Sequence, residues 1–140
     1  MGRTIDTKID DGILTFTFTN SQGEIFSMFK MNPSDIKLAA RCEEALAWFE
    51  EIEKTPAVFE TAKEAADFNN KIEEKINYVL GYEASKDLFK EMTATSVLPN
   101  GLFFAYIVLE KIASTVEPEA EKRRIKMEKM LSKYTEKYNK

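Results

Sequence analysis

Histidine is missing from this chain altogether, and Cys42 is its only cysteine. Ser-His-Asp and Cys-His nucleophilic sites are thereby excluded, as are zinc sites assembled from His and Cys. A disulfide within one chain is impossible, and a single unpaired thiol fits a reducing compartment. Long apolar runs are missing too. The longest, Leu102 to Leu109, has eight residues, whereas a membrane-spanning helix needs about 20. The opening Met1-Gly2-Arg3-Thr4-Ile5-Asp6 holds no apolar stretch of signal-peptide length, which predicts a soluble, cytoplasmic protein. Asp6 also stands where N-myristoylation requires Ser or Thr.

What is present suffices for a core. Of the 140 residues 44% are hydrophobic and 31% charged, with 20 Lys and Arg against 24 Asp and Glu. These values suit one folded domain carrying an arm, and not a disordered chain. Near the N-terminus, Leu14, Phe16 and Phe18 alternate with Thr15, Thr17 and Thr19, the period of a half-buried strand. A weaker strand is expected over Thr4 to Ile9, joined through Asp10-Asp11-Gly12, and a third from Glu24 to Lys30 after a turn at Gly23. The sum is an antiparallel β-meander over 4–30 that leans on helices.

From there the period changes. Asn32 is placed to cap a helix with Pro33 in its first turn, and Leu38, Cys42, Ala45, Phe49 and Ile52 make one stripe before Thr55-Pro56 ends it. Ala62, Ala65, Phe68, Ile72, Ile76 and Val79 predict a second helix stopped by Gly81. A short third helix follows over Ala84 to Lys90. Asn100 is expected to cap a fourth, whose apolar opening continues through Ile112, Ala113 and Val116 and so favours a buried helix over a buried strand. Pro118 is expected to break or kink it. The fold class is therefore mainly α, a helical bundle with a small N-terminal antiparallel sheet. One domain spans 1–117, with its helical core at 33–117, and a basic helical arm spans 118–140.

Charge is divided unevenly. Residues 119–140 carry eight basic and four acidic side chains, net +4, which leaves −8 on residues 1–118 of the total −4. Along the arm Met127, Leu131, Tyr134 and Tyr138 are spaced four, three and four, one face of a helix flanked by Arg123, Arg124 and Lys133. This face either binds a partner or a second copy, or docks back on the chain's own bundle. The six Met residues, Met28, Met31, Met127 and Met130 among them, fit adaptable contact surface or ordinary core filling.

Catalytic and ligand-binding patterns are weak by comparison. The acids Glu43, Glu44, Glu50, Glu51, Glu53, Glu73 and Glu74 come with no Glu-x-x-His, calcium loop or phosphate-binding glycine turn, and read as solvated helix faces. Cys42 lies on an apolar stripe and reads as a packed thiol. Phe16, Phe18, Phe26 and Phe29 lack the interleaved bases of a nucleic-acid stacking sheet. No enzymatic activity, cofactor, metal, membrane or nucleic-acid binding is expected.

Four segments carry a resemblance in their order along the chain: Phe26-Ser-Met-Phe-Lys-Met-Asn-Pro-Ser-Asp35, then Ile76-Asn-Tyr-Val-Leu-Gly-Tyr82 with Asp87-Leu88-Phe89, then Leu98-Pro-Asn-Gly-Leu-Phe-Phe104, then Lys133-Tyr-Thr-Glu-Lys-Tyr138. With the chain's size, they resemble the small tail assembly chaperones of siphophages and prophages of Gram-positive bacteria (Firmicutes). The resemblance implies a small, mostly helical, non-enzymatic viral protein that acts through protein–protein interaction. Its partners would be the phage tape measure protein and the tail tube protein. It would work in the cytoplasm of the host bacterium and be absent from the mature virion. A phage-encoded interaction protein that inhibits or triggers a host defence target would have the same composition.

Overall fold

The computed structural model describes residues 2–54 and 59–138, apart from the side chains of Glu53, Lys54 and Tyr138. Alternation in the Phe-Thr segment produces β1 (Leu14–Thr19), which pairs antiparallel with β2 (Ile25–Met31). Asn20 builds the connection: its side-chain oxygen accepts from the N–H groups of Gln22 and Glu24, each at 2.9 Å. Gly23 takes φ +81°, a backbone conformation that side chains with a Cβ resist. Leu14 faces Met31 and Phe16 faces Phe29, but Thr19 faces Ile25, so Phe26 is the extra residue of a bulge. That bulge turns Phe26 toward the core and leaves Ile25 in solvent.

The expected meander is a two-stranded hairpin among the described residues. Residues 4–9 form no strand, and Ile5 and Ile9 are 78% and 80% exposed. Two isolated isoleucines separated by Asp6, Thr7 and Lys8 bury too little to hold a third strand. The Asp10-Asp11-Gly12 turn does form, with both aspartates accepting from N–H groups two residues on, but it leads into β1 without joining two strands.

Helix α1 (Ile36–Lys54) begins later than expected. Asn32 accepts from the Ser34 N–H in a preceding turn, and Asp35 is the cap, accepting from the Lys37 N–H at 2.9 Å. Thr55-Pro56, expected to end α1, lies outside the described residues. Helix α2 (Ala62–Leu80) is capped by Thr61, which accepts from the Glu64 N–H, and stops at Gly81 with φ +81°. The third helix shrinks to one turn, α3 (Ser85–Leu88), held against α2 because Asn77 accepts from the Ser85 N–H at 2.8 Å.

Helix α4 (Phe104–Tyr138) runs for 35 residues. Asn100 does not cap it; that side chain accepts from the Leu102 N–H in a turn, and the carbonyls of Ser96 and Ala94 receive the first helical N–H groups, those of Phe104 and Ala105. Pro118 does not end the helix. It costs the Ser114 carbonyl one partner, and Ser114 and Pro118 are both exposed, so water can serve instead.

The core sits under the first half of α4. Phe104, Val108, Leu109 and Ile112 are fully buried with Leu38 and Phe49 of α1 and Ile72, Ile76 and Val79 of α2, so both predicted stripes face inward except at the start of α2, where Ala62 is exposed. Phe104 also receives the hairpin, with Phe18 edge-on at 5.4 Å while Phe16 stacks on Phe29 at 4.9 Å, and Phe89 at the end of α3 meets it edge-on at 5.8 Å. The aromatic residues of the sheet are thus committed to packing. Among the described residues, no helix is long and apolar enough to cross a membrane.

Candidate interaction surface

Past Val116 the core-facing side of α4 continues at spacings of three and four through Glu119 and Arg123 to Met127, Met130 and Tyr134. Arg123 marks where the helix leaves the body. Its guanidinium donates to the Gly12 carbonyl at 2.8 Å, the Ser34 hydroxyl at 2.8 Å and the Asn32 side-chain oxygen at 3.4 Å, and pairs with Glu119 at 3.7 Å. One side chain therefore ties the arm to the segment before β1 and to the turn before α1. Gly12 suits this place because its φ is +72°, and a Cβ there would meet the Arg123 guanidinium at 2.8 Å and make it shift.

Beyond Arg123 the arm stands in solvent. Met127 is 55%, Leu131 57% and Tyr134 64% exposed, and Lys133 is exposed beside them. Tyr138 ends the helix with its side chain outside the described residues. Arg124 sits between Glu121 and Glu128 of its own helix; it holds the Glu121 carboxyl below its ordinary range, and the pair raises its own pKa in turn. The predicted site residues thus divide three ways: Arg123 anchors, Arg124 is paired within the helix, and Met127, Leu131 and Tyr134 form an exposed stripe. The methionines divide as well, Met31 into the core and Met127 and Met130 onto the arm.

A second surface was read in the sequence only as solvated charge. Between α1 and α4 runs a groove of about 700 Å³ floored by Leu46, Tyr106, Ile107 and Ala113, continuous through Leu46 and Ala113 with a smaller recess of about 220 Å³ beside Cys42 and Val116. Its rims carry Glu43 and Glu50 from α1 and Glu110 and Glu117 from α4, all exposed, with Lys111 as the base among them. The signal available in the sequence was the repeat of seven on each helix, which sets two acids on one edge of an apolar stripe. Under this groove Cys42 is 3% exposed and its thiol donates to the Leu109 carbonyl. Burial, and then the charge of Glu43, push that thiol up to about 11, so it is protonated at neutral pH and is no ready nucleophile.

Between α1 and α2, Lys75 lies 5.2 Å from the Trp48 ring centroid, and the Tyr78 hydroxyl donates to Glu44 at 3.1 Å. These groups satisfy one another. Among the described residues no three acidic or thiol side chains are grouped to hold a metal ion. The chain matches no protein-family model, no curated protein and no solved structure.

Proposed function

We propose that this protein is a phage tail assembly chaperone: a non-enzymatic protein that binds the tape measure protein and helps recruit tail tube subunits in the host cytoplasm, without entering the finished virion. The observation that carries the reading is the exposed stripe of Met127, Met130, Leu131 and Tyr134 on a basic helix that projects from an acidic body. A long helical client exposes apolar stripes of its own before it is packed into a tail, and an amphipathic helix rich in methionine can cover such stripes reversibly. The ordered resemblance of four segments to this class of chaperone supplies the client's identity. Deleting the gene from an inducible prophage tests the reading. Induced cells should then release filled heads without tails, and a plasmid copy should restore tails. Normal tailed particles from the deletion would overturn it, as would finding the protein as a component of purified virions.

A further inference from the structure

We infer that the groove between α1 and α4 is the seat of the C-terminal arm of a second copy of this chain. Chemistry, dimensions and topology each lead there, and none of them depends on the chaperone reading.

The groove pairs an apolar floor with acidic rims, and the arm pairs an apolar stripe with basic neighbours. Across the whole chain the arm is +4 and the rest −8, so the complementarity is global as well as local. Spacing matches too. Lys126 and Lys133 stand at i−4 and i+3 of Met130, seven residues apart, the same interval that separates Glu43 from Glu50 and Glu110 from Glu117. On any helix that interval is about 10 Å, so two ion pairs can form with one register. The groove floor from Tyr106 to Ala113 is also about 10 Å long, and the stripe from Met127 to Tyr134 has the same length.

Topology decides whose arm it is. Helix α4 itself forms one wall of the groove with residues 106–117 and continues as the arm without a break. A continuous helix cannot lie alongside itself, so a chain's own arm is barred from its own groove while α4 is intact. A second copy faces no such bar. Two copies can each place an arm in the other's groove, a closed two-fold exchange. Covering Leu46 and Tyr106 with Met127, Met130 and Tyr134 removes apolar surface from water on both partners, and the rim charges fix the register.

Charge exchange in the full-length protein tests this. Light scattering coupled to size exclusion should give twice the 16.1 kDa of one chain. A groove variant carrying Glu43→Lys, Glu50→Lys, Glu110→Lys and Glu117→Lys should run as a monomer, and so should an arm variant carrying Lys126→Glu and Lys133→Glu. Mixing the two should restore the doubled mass, because each groove then meets an arm of opposite sign. Met127→Gln with Leu131→Gln, which leaves every charge in place, should also give a monomer, and circular dichroism should show all variants helical. A wild-type chain that stays monomeric at 100-fold increasing concentration overturns the proposal and leaves the groove to another protein. Reversed variants that still dimerise alone, or folded variants that fail to re-associate on mixing, overturn it equally.

Discussion

Arg123 converts a projecting helix into a fixed one, since its contacts join three separate stretches of chain. Replacing it by Ala should destabilise the protein by about 1.5–3 kcal/mol, the range for hydrogen bonds to a charged group, read as a lower urea midpoint. Gly12→Ala should act on the same contact from the other side and lower the midpoint too, because the backbone there is left-handed and the guanidinium is too close. Asp35 gives a pH test. The Lys37 N–H first, and then Arg41, hold its carboxyl below the ordinary value. A depressed folded pKa contributes stability above the unfolded value of about 4, and that contribution disappears as pH falls through the folded one. The wild type should therefore lose more stability than Asp35→Asn as the pH is lowered below about 4. For Cys42 the sign is opposite. Its raised pKa means that stability declines as pH climbs past the free thiol's value of 9.0 toward about 11, since the unfolded thiol ionises first. A thiol reagent at neutral pH should label the native protein far more slowly than the denatured one.

At the scale of elements, the helices were legible because their apolar residues repeat at three and four, and the stripes on α1 and α2 are the ones buried. Phe104 is where that packing converges, and Phe104→Ala should cost about 3–5 kcal/mol in urea denaturation. Element ends were harder to read. Asn32 and Asn100 both have the capping residue type, yet each spends its side chain on a turn before the helix, and Asp35 or a pair of loop carbonyls takes over. Local preference names candidates for a cap, and only tertiary position selects among them. The third strand failed for a different reason: alternation at Ile5 and Ile9 gives a period but too little apolar area to retain it. The groove stayed hidden because its rims come from helices some 60 residues apart, and no spacing within one helix reveals the other. The arm left two readings open, a binding face or a core helix docked back on the bundle, and its exposure now sets their consequences apart. Ending the chain after Lys126 removes side chains that, among the described residues, are all exposed on their own chain, so the stability of the monomer should change by less than about 0.5 kcal/mol. A docked helix would have cost several.

Across the whole molecule, a hairpin and four helices bury one core, and the last helix carries its inward-facing side out past the body, where Met127 and Leu131 are exposed. An acidic body with a basic, apolar-striped arm suits the proposed reading, in which surface chemistry holds other helices. The proposal that these residues engage a tape measure protein is tested most directly by co-expressing the full chain with the tape measure protein of the same phage and purifying through a tag on the latter. The wild-type chain should co-purify in fixed proportion, and the Met127→Gln, Leu131→Gln variant, still helical by circular dichroism, should be lost from the complex by at least 10-fold. Absence of a complex with the wild type, or equal recovery of the variant, would contradict the account.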